Sequence, residues 1–422
     1  MSQVNIEWKE VTLNEVVTYK NGQAHEMYVS EFGDYCLVNS KFISTEGSVQ
    51  KFSTVANQLA NKSDILMVLS DVPNGRAIAK CFFVDKPNYY TVNQRIALLT
   101  VNSSYHANFI FRMLNRNEYF LSFDDGVKQT NLKKKEVLDC PLRIPPLAEQ
   151  QKIAQALTDA DNYISALEKL IEKKKMIKEG LMVNLLTGKQ RLKEFAFNED
   201  GTAKGYKDSE LGKIPEDWNL KYFTDVFSFL STASFSRDQL TAEHNTCACI
   251  HYGDIHTKLD YCIDTNTFVS GYVSTNQVMN YAAIQQGDLI IADASEDLNG
   301  IGKSIEVLNQ PNIKVVSGLH TFLARDIKEN FALGFRSFIS SNPLIIKQYK
   351  RLASGLKVYS LSKSTFKNII LALPSKDEQE SISKILFNHI KEIETLNKKL
   401  EKAKAIKIGM MQKLLTGEIR FA

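Results

Sequence analysis

Three groups of residues have types and spacings that could do chemistry. The run DLNGIGKS ends in Gly302, Lys303 and Ser304, like the close of a loop whose backbone amides wrap a phosphate and whose lysine neutralises it. Such a loop opens on a glycine, and Asp297 stands at that position, so the run reads as a turn between two strands. In HNTCACIHYGDIH, the residues His244, Cys247, Cys249, His251 and His256 supply zinc-type donors. Cys247, Cys249 and His251 alternate as on one face of a strand, but no CxxC knuckle or second cysteine pair completes a tetrahedral set, which favours small thiols packed in a strand. Asp288, Asp293, Glu296 and Asp297 could be nuclease carboxylates on a divalent ion, yet no lysine follows at the E-x-K type spacing, and acidic residues are ordinary at turns. There is no dinucleotide glycine pattern and no Asn/Asp-Pro-Pro-aromatic motif. The expectation is a chain without a catalytic site or a metal of its own.

The elements that would position any such residues are organised by a repeat. The segment from Pro145 to Arg191 aligns without a gap to Pro374 to Arg420 at a constant offset of 229, with 20 of 47 positions identical, including Glu149-Gln150 against Glu378-Gln379 and the two LLTG runs. Each copy opens on a proline turn and an acidic first turn, which suits the positive end of a helix dipole, and stops at the glycine of LLTG. Apolar residues recur at alternating spacings of four and three: Ile153, Leu157, Ala160, Ile164, Leu167 and Ile171, matched by Ile382, Leu386, His389, Ile393, Leu396 and Leu400. This is the seam of a coiled coil, with His389 as an edge residue. A helix over 147–186 would rise about 60 Å. The lysine runs at Lys173 to Lys175 and Lys402 to Lys407 suit its solvated face better than phosphate contacts.

Residues 1–143 and 213–372 read as two β-rich α+β domains, and 192–212 as a polar linker between them. Each domain opens with a tryptophan and closes with a glycine, a lysine and a leucine: GVKQTNL from Gly126 and GLKVYSL from Gly355, again 229 apart. The second copy of the helical segment occupies 373–422 and the first 144–191. The chain of 422 residues is long enough for two to four cores, and its net charge of +4 permits nucleic-acid binding without arguing for it. Six cysteines without paired spacing fit reduced thiols, no apolar run approaches the roughly 20 residues of a membrane span, and MSQVNIEWKE has no signal-peptide pattern, so a cytoplasmic protein is expected.

The glycine-lysine-leucine run, the proline-bearing strand end, the Glu-Gln opening of a long helix and its LLTG close, all present twice, resemble the specificity subunit of type I restriction-modification systems. The resemblance spans the chain; it is specific in the helices and weak within the domains. It implies two target recognition domains, each followed by a long helix, in a pseudo-two-fold repeat whose helices pair antiparallel. It implies a non-catalytic protein that reads split double-stranded DNA, one domain per half-site, and joins two methyltransferase subunits and restriction subunits. S-adenosylmethionine, ATP and magnesium would then belong to those partners, with no cofactor in this chain. Under this resemblance the candidate DNA contacts near the helix roots are Lys128, Gln129, Asn131, Lys133 and Lys134 in the first half, and Lys357, Tyr359, Ser360, Lys363 and Lys367 in the second. A stand-alone or fused nuclease or methyltransferase-associated protein with its own catalytic site is the other functional reading, and a purely structural coiled-coil scaffold the third.

Overall fold

ILMV at Ile65–Val68 and IALLTV at Ile96–Val101 are nearly continuous apolar runs, which become strands only where both faces of a sheet are covered. That is how they are used in the computed structural model, in which residues 7–73, 75–243 and 246–421 are described. The chain divides into two units, 1–168 with 398–422, and 169–397.

In the first unit, strands Val17–Asn21, Ile96–Val101, Ile65–Val68 and Cys81–Phe83 form an antiparallel sheet in that order. Leu66, Val68, Ile96 and Leu98 point into one apolar core with Cys36, Val38, Phe42 and Val92. Their neighbours Ile65, Met67, Ala97 and Leu99 point into a second core with Leu13, Phe109, Ile110 and Val137. A smaller sheet of Phe52–Ser53, Tyr35–Val38 and Tyr90–Val92 adjoins the first core. Strand Lys9–Thr12 pairs antiparallel with Pro141–Ile144 and so returns the chain to the start of the long helix.

The second unit repeats the plan. Phe227–Leu230, Thr321–Asp326, Leu289–Ala292, Ser304–Val307 and Cys262–Ile263 make the larger sheet, and Gly271–Val273, Cys247–Ile250 and Lys314–Ser317 the smaller. Asn219–Tyr222 pairs with Ile370–Leu373 as Lys9–Thr12 does with Pro141–Ile144. The fold is α+β, with two β-rich domains each followed by a long helix.

Those helices run from Leu147 to Leu186 and from Lys376 to Thr416, and each contributes to both units. Within the first unit Asp161 meets Lys407, and Glu168 meets Lys404 at 2.9 Å, so numbers fall along one helix as they rise along the other. Within the second, Lys174 meets Glu392 at 2.7 Å in the same sense. The pairing is antiparallel. Three of the lysines in the two basic runs therefore bind carboxylates of the partner helix.

Each LLTG glycine has a physical reason. Gly188 and Gly417 have φ of +68° and +78°, in the left-handed region, and a Cβ at either would press on a tryptophan ring at 3.2 Å, Trp218 and Trp8 respectively. The helix thus stops where it meets the tryptophan that opens a domain. Residues 192–212, polar in composition, are nonetheless bonded into the second unit. Tyr206–Lys207 pairs with Ile214–Pro215, the Tyr206 hydroxyl donates to the Gly188 carbonyl at 3.0 Å, and Lys204 meets Asp217 at 2.9 Å. Side-chain bonds of this kind leave no mark in composition.

Candidate nucleic-acid interface

Gly126 and Gly355, with φ of +70° and +120°, turn the chain into two matching short strands. Thr130–Asn131 pairs with Ser70–Asp71, and Tyr359–Ser360 with Ala294–Ser295. The candidate side chains of the first half divide between this strand pair and the short helix Lys134–Leu138 behind it. Lys128, Gln129 and Asn131 are exposed together, and the Gln129 amide donates to the Ser70 hydroxyl at 2.7 Å. The Lys133 amide donates to Glu136 at 2.7 Å and its ammonium lies 3.9 Å from the same carboxylate, which caps the helix. The Lys134 ammonium lies 5.4 Å from the Tyr19 ring centre, in cation–π range.

In the second half Lys357 and Ser360 are exposed and Tyr359 is half-buried. The Ser354 and Ser360 backbones exchange hydrogen bonds at 3.1 and 2.8 Å, which closes the loop. Lys363 sits over the Phe229 ring at 6.0 Å, and Lys367 is exposed on the turn Thr365–Asn368. Both loops also hold out apolar side chains that charge-based reasoning passes over. Val127 is 76% exposed and Leu356 96%. Each loop is thus a positive, hydrogen-bonding tip with an apolar point, a combination that can approach phosphate and base edges together.

The seam residues fall into two classes. Ile153 and Leu157 are buried in the first unit's core beside Leu414, and Ile382 and Leu386 in the second unit's core beside Met182, Leu185 and Leu186. Nearer the helix middles Leu167, Ile171, Ile393 and Leu400 are buried, while Ile164 and Leu396 are half-buried. His389 is half-buried too, its Nδ1 3.7 Å from Glu392.

The Glu-Gln pair that opens each helix does two jobs. Gln150 accepts from the His106 amide at 2.9 Å and donates to the Pro145 carbonyl at 2.8 Å; Gln379 accepts from the Ala332 amide at 3.0 Å and donates to Pro374 at 3.1 Å. Each glutamine pins its helix to its own domain. Each glutamate instead takes the arginine that follows the other helix: Glu149 binds Arg420, and Glu378 binds Arg191. Burial alone would lower the Arg191 pKa, but its bonds to Glu378 and Asp217 outweigh that and hold it above the ordinary value. Sequence reasoning did not reach this pairing, although the identity of all four residues at an offset of 229 was the available signal.

The chemical leads resolve into structure. Asp288 accepts from Arg325 twice at 2.7 Å and from the Gln285 amide at 2.8 Å, locking a turn, and Asp64 does the same with the Asn61 amide and Thr100 in the first unit. Asp297 accepts from the Asn299 amide at 3.0 Å, Lys303 reaches the His256 carbonyl at 3.3 Å, and Gly302 packs against Tyr349, so DLNGIGKS is a turn. Cys247 and Cys249 are buried in a central strand, and burial pushes the Cys249 thiol up to about 12. His251 caps a helix by accepting from the Gly253 amide at 3.1 Å, and His256 bonds the Ala294 carbonyl at 2.9 Å. His244 lies outside the described residues. Among the described residues no group of three or more His, Cys, Asp or Glu is placed to hold a metal ion.

A family model described as "Type I restriction modification DNA specificity domain" matches residues 5–179 and 215–405. The type I restriction enzyme MjaVIII specificity subunit of Methanocaldococcus jannaschii is 25% identical over 423 residues, covering 98% of this chain and 93% of that protein. The crystal structure of the S subunit of a type I restriction-modification system from M. genitalium superposes with a TM-score of 0.55 at 14% identity, over 98% of this chain and 97% of that one. The HsdS subunit from Thermoanaerobacter tengcongensis gives 0.50 at 14%, over 99% of each chain.

Proposed function

Because the chain belongs to the type I restriction modification DNA specificity domain family, we propose that it reads a split double-stranded DNA target, one domain per half-site, for a methyltransferase and restriction complex. One observation carries this reading above the others. The family match occurs twice, on two units that repeat one strand plan and present the same glycine-led loop at the same place. A scaffold needs the helices but not two elaborated loops.

The chain contributes binding rather than bond-making. Lys128 and Lys357 contact phosphate and position the domains, while Gln129, Asn131, Tyr359 and Ser360 approach base edges. Lys133, Lys134, Lys363 and Lys367 add positive charge behind the loops. The paired helices receive two methyltransferase subunits, and restriction subunits join that core. S-adenosylmethionine, ATP and magnesium act on those partners. The protein works in the cytoplasm; among the described residues no helix is long and apolar enough to cross a membrane.

The test is methylome sequencing of a strain carrying the full system, with and without this gene. A two-part methylated motif that disappears with the gene supports the reading. Methylation or cleavage by the purified chain without partners would refute it.

A further inference from the structure

One corner of each unit has the same backbone and a different side chain. In the first unit the Leu69 amide donates to the Arg95 carbonyl at 3.0 Å, and the Leu132 amide to the Leu69 carbonyl at 2.8 Å. In the second, the Asp293 amide donates to the His320 carbonyl at 3.1 Å, and the Leu361 amide to the Asp293 carbonyl at 2.8 Å. Both circuits tie the turn before a central strand to the short strand pair that holds the candidate loop, and Leu132 and Leu361 are both buried. Arg95 and His320 therefore occupy one structural position. Both are exposed.

Their surroundings differ as their chemistry does. Arg95 lines an open cleft of about 340 Å³ with Asn39, Lys41, Lys51 and Gln94. The carboxylate in that cleft, Glu26, accepts from Gln94 at 3.3 Å, and among the described residues no carboxylate forms an ion pair with Arg95. His320 has φ of +53°, a backbone conformation that residues other than glycine rarely adopt. Its Nδ1 lies 3.2 Å from Asp293 Oδ1. An ionised carboxylate only accepts, which assigns the ring proton to Nδ1 and leaves Nε2 an acceptor in the neutral ring.

We propose that this shared position is a base-reading position in each recognition domain: Arg95 reads guanine in one half-site, and His320, oriented by Asp293, reads an amino-bearing base in the other. The arginine fork matches guanine O6 and N7, and an imidazole acceptor matches the amino group of adenine or cytosine. One backbone frame with unlike side chains is what a target with unlike halves requires. The inference rests on the function proposed above and names residues within it.

The test compares methylomes of the whole complex bearing Arg95→Gln, Arg95→Lys, His320→Ala or Asp293→Asn. Both Arg95 variants should relax guanine preference at one position of one half-site by roughly tenfold or more, leaving the other half intact. Arg95→Lys keeps the charge and loses the fork, so relaxation there separates base reading from phosphate binding. His320→Ala and Asp293→Asn should relax one position of the opposite half. An unchanged motif, or a uniform loss at every site, overturns the assignment while leaving a two-part wild-type motif standing. A wild-type methylome with no two-part motif overturns both.

Discussion

Arg191 forks onto Glu378, with Nε to Oε1 at 2.9 Å and Nη2 to Oε2 at 2.6 Å, and 187 positions of sequence close at that point. Arg420 makes the same fork onto Glu149 at 3.1 and 2.7 Å. Each arginine follows one repeated helix and each glutamate opens the other. Both pairs keep the offset of 229. The repeat is thus closed by exchange: neither copy satisfies its own glutamate. The two forks differ at the tryptophan beside them: the Trp218 indole donates to Glu378 at 3.1 Å, whereas Trp8 Nε1 has no hydrogen-bond partner among the described residues.

Removing one member of the more deeply buried fork should be severe. Arg191→Met strands the Glu378 carboxylate, which is 1% exposed, and a single-sided break of a buried pair costs about 3 to 5 kcal/mol. Arg420→Met should cost less, because that arginine side chain is 34% exposed against 5% for Arg191, so its pair with Glu149 is already partly screened by solvent and contributes less. Urea unfolding of the two variants should rank them in this order; equal midpoints would refute it.

The helix seam gives a graded expectation. Leu386→Ala removes a fully buried side chain from the second unit's core and should cost about 2 to 5 kcal/mol. Leu167→Lys places an ammonium where the leucine is 7% exposed, whereas at half-buried Leu396 the lysine stem can carry its charge outward. Thermal melts should show a larger loss for Leu167→Lys than for Leu396→Lys.

Asp254 makes the second unit acid-sensitive. Burial alone would raise its carboxyl, but Arg237, Ser270 and Lys258 together bring it down to about 2. A carboxyl held below its unfolded value of about 3.9 stabilises the fold above that pH, and the contribution is lost as pH falls from about 4 towards 2. Both cationic partners are about half exposed, so screening reduces the contribution to about 1 to 2 kcal/mol. Asp254→Asn should flatten the stability curve in that window, and an unaltered acid limb would remove Asp254 from the account.

The helices and their pairing faces were legible because a seam of period 3.5 repeated over five turns has few alternative explanations, whereas the antiparallel sense came from the family resemblance alone, since a heptad seam does not fix direction. The strand at Cys247 and the two strands flanking DLNGIGKS were legible one by one, but most others only as β-rich regions, since runs such as ILMV that are buried on both faces do not alternate polar with apolar. The candidate site was half legible. Lys128 and Lys357 announce themselves by charge beside a glycine, but Arg95 and His320 lie far along the chain from those loops and reach the same corner only through backbone hydrogen bonds. Asp288, set aside in the sequence as a turn carboxylate, does lock a turn, although an acidic residue in that role has the same letter as one that binds a metal.

The last expectation concerns the loops themselves. Lys128 is exposed, and its backbone amide is held by Asp125 at 3.0 Å, so its position is set while its ammonium remains available; Lys357 is exposed on the matching loop. If each neutralises a phosphate, Lys128→Glu and Lys357→Glu in the assembled complex should weaken DNA binding and make its salt dependence shallower, by a slope of about 0.9 for each phosphate no longer neutralised. The methylated motif should stay the same, because phosphate carries no sequence information. Exchange of residues 1–143 for the corresponding domain of a related protein should do the reverse, changing one half of the motif with little effect on the salt slope. Binding isotherms at several salt concentrations, read beside the methylome of each variant, separate the two effects. A lysine variant that alters the motif would move that residue from positioning to reading, and a domain exchange that changes both halves would end the assignment of one domain to one half-site.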